Sequence, residues 1–261
     1  MEISLKVWLA INLVGIIIYT AYALFHKQYK YTKMLLGLWL ILLLAGILAA
    51  VLPRNSFYGP VVSRLGSSDK IVALTFDDGP YPPYTEQLLA VLNKEQVPAT
   101  FFMVGKNALQ HPKLVQQVKK KKNDLGVHTY DHIDLLKLDR QQATYQVQQG
   151  KKVLETLAGR EVKLIRPPHG FKDPLVLSIF AANKLQIVNW DVASKDWLNP
   201  APEIIAARTL KQVQNGSIIL LHDGDSPYNK LPRANTILAV QIIIRELKAQ
   251  GYKFVLVKDY T

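Results

Sequence analysis

Cysteine is absent from this chain of 261 residues, which excludes disulfides and thiolate metal ligands and is compatible with export from the cytoplasm. Acidic residues are in short supply, 20 against 32 basic ones, for a formal net charge of +12. Such a balance favours anionic surroundings, lipid headgroups or wall polymers among them. Internal repeats and low-complexity segments are missing as well, so a repeat array is excluded. What remains fits one domain of about 190 residues with an appendage.

Charge is missing from two stretches near the amino end. Residues 7–25 and 34–53 are uncharged and mostly apolar, each long enough to cross a bilayer as a helix. The connection between them, residues 26–33, carries Lys27, Lys30 and Lys33. By the positive-inside rule that loop is cytoplasmic and both chain ends face outward. The expected organisation is a two-helix membrane anchor over residues 1–54, a linker with Gly and Ser over 55–70, and a folded domain over 71–261. This makes a multi-pass cell-membrane protein whose folded domain is extracytoplasmic, a setting in which nucleic acid is a poor partner. Fully extended, the linker spans about 50 Å, and as a flexible coil far less. A signal peptide is the rival reading of the first stretch, because Ala21-Tyr22-Ala23 resembles a cleavage site. The long apolar run and a single Lys6 ahead of it favour the anchor.

After residue 70, strand-like and helix-like stretches alternate. Strands are expected at 71–76, 99–104, 124–128, 162–166, 186–191, 217–222 and 253–257. Amphipathic helices are expected at 85–95, 112–122, 140–157, 174–183, 202–213 and 236–250. Alternation of this kind argues for an α/β fold of parallel strands joined by helical crossovers.

Polar side chains cluster where these strands end. Thr75-Phe76-Asp77-Asp78-Gly79-Pro80 closes the first strand, and two adjacent ionised carboxylates are costly to bury unless a cation shares the site. Taken alone, Asp-Asp-Gly-Pro is more often a plain turn. His128-Thr129-Tyr130-Asp131-His132 follows the third strand and puts two imidazoles on one face if the stretch makes a helical turn. One Asp with two His is a ligand set for a catalytic zinc with positions left open for water. Arg166 follows the fourth strand, Asp191 and Asp196 the fifth, and His222 the sixth. In an α/β barrel the carboxyl ends of the strands form one rim, where such enzymes build their active sites.

These motifs resemble those of the polysaccharide deacetylases of carbohydrate esterase family 4, the NodB-homology group, over roughly residues 71–257. Beside the Asp-Asp segment and His128-Thr129-x-x-His132 stand Arg166-Pro167-Pro168-His169-Gly170, Ser194-Lys195-Asp196-Trp197 and Leu220-Leu221-His222. The resemblance implies a distorted (β/α) barrel of about seven parallel strands. It also implies that Asp78, His128 and His132 hold one divalent metal, zinc first among the candidates, while Asp77 is the catalytic base and Arg166 orients it. His222 would be the general acid, held by Asp196. The backbone N–H of His169 would meet the oxyanion, and Trp197 and Leu220 would line the acetyl-methyl pocket.

Two departures stand out. Ala193 occupies a position where the family has an Asp, and His169 one where it often has Tyr. Elsewhere the plainer readings hold: His26 and His111 are solvated, Asp191 is a strand-end cap, and Trp190 belongs to the core. Lys119–Lys122 close a helix, where cations complement the dipole. The function implied is hydrolysis of N-acetyl groups on an envelope polysaccharide, peptidoglycan or another N-acetylglucosamine polymer. Deacylation of a lipid-linked sugar and a non-catalytic, membrane-anchored glycan-binding protein remain as alternatives. The sequence gives no reading of oligomeric state.

Overall fold

A computed structural model describes residues 3–27, 31–120, 122–225 and 230–261. Lys30 of the basic loop and Lys121 of the lysine run lie outside the described residues. The helices are α1 (Leu5–Phe25), α2 (Thr32–Val51), α3 (Tyr84–Glu95), α4 (Gly105–Gln110), α5 (Pro112–Lys120), α6 (Arg140–Ala158), α7 (Pro174–Ala182), α8 (Pro202–Gln212) and α9 (Ala234–Ala249). The strands are β1 (Ile71–Asp77), β2 (Ala99–Met103), β3 (Asp124–Val127), β4 (Leu164–Ile165), β5 (Gln186–Ile187), β6 (Val192–Ala193), β7 (Ser217–His222) and β8 (Lys253–Phe254). All pairings are parallel, in the order β5-β4-β3-β2-β1-β7-β6, with β8 against the amino end of β1.

Strand periodicity explains which side chains reach the site. Successive residues of a strand point to opposite faces, and β1 is buried along its whole length. Val72, Leu74 and Phe76 pack in the large core beneath the helices, whereas Ile71 and Ala73 join a smaller core with Phe102, Leu164 and Ile218. That second face is the barrel interior. Counting in twos from its members places Thr75 and Asp77 of β1, Arg166 after β4, and Leu220 and His222 of β7 on the interior side. On β3, Leu125 and Val127 belong to the large core, so Gly126 and then His128 take the interior side. The interior is crowded: a Cβ on Gly126 would lie 2.4 Å from the Phe102 ring.

The expected strand over 186–191 is broken in two, and the break closes the sheet. β5 pairs with β4, and β6 pairs with β7. Between them Val188 N donates to Ile165 O (2.8 Å) and Asp191 N to Ile218 O (3.3 Å). The chain thus crosses from one open edge of the sheet to the other. Counted as one strand, the segment gives seven parallel strands in a distorted half-barrel, as the resemblance implies. A helix that the sequence pattern did not suggest, α4, follows β2. Residues 55–70 lie along the closing seam: Val62 bridges to Val188, Arg64 to Ser217, and Leu65 is buried.

α1 and α2 are long and apolar enough to cross a membrane, and a signal sequence near the amino end passes the same test. Trp39 Nε1 donates to Asn12 Oδ1 (2.8 Å) between them. Their domain-side ends are bonded to loops at the carboxyl ends of the strands. Leu5 N donates to Asp173 Oδ2 (2.8 Å), which also caps α7. Lys172 N donates to Ala50 O (3.0 Å), its Nζ to Leu52 O (2.5 Å), and Asn189 Nδ2 to Pro53 O (2.8 Å). Burial in this junction pushes the Lys172 ammonium down to about 8.

Candidate active site

Asp77 and Asp78 enter one site by different routes. Asp77 arrives by strand alternation. Asp78, the next residue, would point away, but its backbone is left-handed, with φ of 75°, and turns the carboxylate back. The turn needs glycines on both sides. A Cβ on Gly79 would lie 2.3 Å from Asp223 Oδ2, and one on Gly224 would lie 2.3 Å from Asp78 O.

His128 and His132 converge on Asp78 without a helical turn. The stretch is a loop in which Thr129 and His132 have φ of 63° and 58°. Thr129 Oγ1 accepts from His132 N (3.0 Å), and Gln146 Oε1 accepts from Tyr130 N (3.2 Å) and Asp131 N (2.9 Å). These bonds satisfy amides that a helix would have used, so the imidazoles meet by a fold-back. Their Nε2 atoms stand 3.4 and 3.1 Å from Asp78 Oδ1.

That convergence fits a metal. His128 Nδ1 lies 2.6 Å from Arg166 O, a contact that requires the proton on Nδ1. In the neutral ring Nε2 then carries a lone pair and faces a carboxylate oxygen, acceptor against acceptor. Asp78 Oδ1 is buried and, among the described residues, has no hydrogen-bond partner by geometry. A metal ion shared by the two groups reconciles them at this distance, as would a proton on Nε2. One donor atom from each of Asp78, His128 and His132 falls within 4.8 Å of the others. The set is a candidate site for a divalent ion.

Arg166 is fully buried and every guanidinium nitrogen is engaged. Nε donates to Val188 O (3.0 Å), Nη2 to Asn189 O (3.0 Å), and Nη1 to Thr75 Oγ1 (2.8 Å) and Asp77 Oδ1 (2.7 Å). Its plane lies between the rings of Phe102 and Trp190, at 4.2 and 5.5 Å. Asp77 is therefore fixed by one oxygen, and its other oxygen is 3.9 Å from His128 Nε2.

On the neighbouring strand, beside Asp77 in register, His222 Nδ1 lies 2.8 Å from Asp196 Oδ1, and His222 N donates to Asp196 Oδ2 (2.8 Å). Ser194 Oγ (2.9 Å) and Thr236 Oγ1 (3.0 Å) also donate to that carboxylate. Burial disfavours the imidazolium, but the charge and hydrogen bond of Asp196, with smaller contributions from Asp78 and Asp77, push His222 up to about 9. Burial pushes the His169 imidazole down, with His132 adding to the effect. His169 has φ of 61° and its ring is 5.6 Å from that of His132. Trp197 packs edge-on against His222 at 5.6 Å.

These groups surround one cavity of about 290 Å³, lined by Asp77, Asp78, His128, His132, His169, Trp197, Leu220 and His222, together with Trp190 and Arg233. Every residue singled out on the motifs is in this cavity or bonded to a residue that is. Trp190 is not simply core, since it forms part of the wall. Asp191 is a cap, accepting from Ser217 Oγ (2.9 Å) and Ile218 N (2.8 Å). His26 sits against Tyr22 and Phe25 at the end of α1, and His111 ends α4. Ala193 takes part through its backbone alone, with N and O bonded to the Gln212 side chain.

Two residues escaped the sequence reading. Asp223, directly after His222, is buried with one oxygen held by Thr85 Oγ1 at 2.6 Å, and burial raises it to about 7. Its place beside a motif His was the available signal. Arg233 carried no such signal, because a basic residue ahead of a helix looks solvated.

A polysaccharide deacetylase family model matches residues 65–188. A peptidoglycan-N-acetylglucosamine deacetylase of Bacillus cereus is 36% identical over 203 residues, covering 77% of this chain and 92% of that protein. The crystal structure of the Bc1960 peptidoglycan N-acetylglucosamine deacetylase superposes with a TM-score of 0.72 at 32% identity, over 77% of this chain and 92% of that one. A pseudoenzyme of the same esterase family from Bacillus anthracis superposes with a TM-score of 0.70 at 25% identity, over 77% and 68%. The chain belongs to the polysaccharide deacetylase family, in which metal-dependent hydrolysis is general. The fold is shared with a pseudoenzyme, so any chemistry depends on the residues of the cavity.

Proposed function

We propose that this protein removes acetyl groups from an N-acetylglucosamine-containing polysaccharide of the cell envelope, with peptidoglycan as the leading substrate. One observation carries the reading. A carboxylate held by a buried arginine and an imidazole held by a buried aspartate line one cavity from the ends of neighbouring strands, with a candidate metal site beside the first. Amide hydrolysis needs both groups within reach of one substrate: a base for the attacking water and an acid for the departing amine.

Asp78, His128 and His132 would hold the ion, and the donor set of one carboxylate and two imidazoles points to zinc. When bound, such an ion supplies Lewis acidity toward the acyl oxygen and acidifies water. Asp77 takes the proton of the attacking water, and its bond to Arg166 keeps the free oxygen aimed at the site. The backbone N–H of His169 donates to the developing oxyanion. His222, protonated at neutral pH, gives its Nε2 proton to the departing nitrogen, which would otherwise be a poor leaving group. Trp197 and Leu220 wall the space for the acetyl methyl, where an apolar surface suits a small apolar group.

The amino-terminal helices serve as a membrane anchor, with the basic loop in the cytoplasm and the catalytic domain outside. The bond from Leu5 N to Asp173 favours retention of the first helix over cleavage. A second substrate reading, an N-acetylated sugar still attached to a membrane lipid, is favoured by one feature. The anchor ends are bonded to the same rim of loops that carries His169, so the cavity stays close to the bilayer. Mass spectrometry of acetate released from purified peptidoglycan, chito-oligomers and undecaprenyl-linked sugars, side by side, tests the assignment. Acetate from the polymers is expected. Release from the lipid-linked sugars alone would favour the second reading, and none from any substrate would reject both.

A further inference from the structure

The catalytic site contains two fully buried arginines that differ in one respect. Each nitrogen of Arg166 has a partner. Arg233 is also fully buried, yet only its Nε is engaged, donating to Gly224 O at 2.8 Å. Among the described residues Nη1 and Nη2 have no hydrogen-bond partner and Arg233 forms no ion pair, although its charge helps keep the Asp196 carboxylate ionised. A buried guanidinium with four unused N–H donors is costly and calls for an explanation. Arg233 lines the same cavity as Asp77, His169 and His222. It also stands at the amino end of α9, where no side chain caps the helix. The positive end of a 16-residue helix and an unpaired guanidinium favour the same kind of ligand, an anion.

Resting on the deacetylase reading above, we propose that Arg233 is a specificity-determining group that binds an anionic substituent carried by the sugar beside its acetamido group. Arg233 lies on the acid side of the cavity, because Thr236, one turn into α9, bonds Asp196. That is the side of the departing nitrogen and hence of the sugar ring. On a 2-acetamido sugar the neighbours of the reacting position are C1 and C3. An anion reaching Arg233 inside a cavity of about 290 Å³ therefore sits at one of these two carbons. A phosphate at C1 and an ether-linked carboxylate at C3 both present paired oxygens to a planar fork of N–H donors. Neutral chito-oligomers offer neither and leave the guanidinium unpaired.

The test uses the full-length protein in detergent and compares kcat/KM for a neutral chito-oligomer, a muramic-acid-containing glycan fragment and a lipid-linked N-acetylglucosamine phosphate. The measured quantity is the ratio of an anionic to the neutral substrate within each variant. Arg233→Met is expected to lower that ratio by about 10- to 100-fold, the worth of hydrogen bonds to a charged group. Arg233→Lys, which keeps charge without the fork, should fall between. Whichever anionic substrate loses more identifies the source, carboxylate or phosphate. An unchanged ratio overturns the proposal. So does an equal loss on all three substrates with a shifted pH profile, which would make Arg233 a counter-charge for Asp196. An arm on the wild type needs no variant to fold: N-acetylglucosamine 1-phosphate or N-acetylmuramic acid should inhibit chito-oligomer turnover more strongly than N-acetylglucosamine, and equal inhibition by all three overturns the proposal. Absence of turnover on every substrate would instead reject the deacetylase reading itself.

Discussion

Asp196 holds His222 at two points, the ring Nδ1 at 2.8 Å and the backbone N–H at 2.8 Å. The double attachment fixes the ring so that Nε2 faces the cavity, and the buried carboxylate keeps the proton on. With His222 raised to about 9, the acid form is present through neutral pH and is lost as pH rises through that value. Amide turnover is therefore expected to fall along an alkaline limb near 9. Asp196→Asn removes the anionic partner and should move the limb toward lower pH. A limb that stays in place in a pH–rate profile would separate Asp196 from the acid.

Leaving-group chemistry gives an independent check on the same residue. An amine departs only when protonated, whereas an aryl oxide departs without help. His222→Ala should cost about 10²- to 10⁴-fold on an N-acetyl amide and far less on an aryl acetate. Equal losses on both substrates, measured by acetate release, would give His222 a binding or structural role.

Close packing behind the aspartate pair makes a glycine informative. A Cβ at Gly224 would lie 2.3 Å from the Asp78 carbonyl oxygen, against backbone that cannot swing aside. Gly224→Ala should cost about 1–3 kcal/mol of stability through overpacking and weaken metal retention by displacing Asp78. Thermal denaturation and metal analysis read the two effects. Wild-type values for both would show that the turn yields without loss.

Topology is accessible because the chain has no cysteine of its own. Ser68→Cys, exposed beside the barrel, should react with a membrane-impermeant maleimide on intact cells, and Lys27→Cys at the basic loop should not. The reverse labelling would invert the anchor and remove the envelope substrate.

Much of this site was legible from the sequence because strand alternation and turn chemistry are local. The run Ile71–Asp77 followed by Gly79 and Pro80 announces a strand and its end, and the position of Asp77 follows by counting in twos. The fold-back that brings His132 to Asp78 was not legible, since it depends on Gln146 of α6 bonding two loop amides. Nor was the split of residues 186–193 between two sheet edges, which is a consequence of barrel closure. Arg233 and the bonds joining Lys172, Asp173 and Asn189 to the ends of the amino-terminal helices share that cause. Each depends on a partner remote in sequence, where no periodicity records it.

In the proposed mechanism adjacent carboxylates divide the labour, Asp77 as base and Asp78 as ligand. Metal content and acetate release, measured together on Asp77→Asn and Asp78→Asn, test it most directly. Asp77→Asn is expected to keep one equivalent of metal and lose about 10²- to 10⁴-fold in turnover, while Asp78→Asn loses the metal itself. Loss of metal from Asp77→Asn with retention in Asp78→Asn would reverse the two roles.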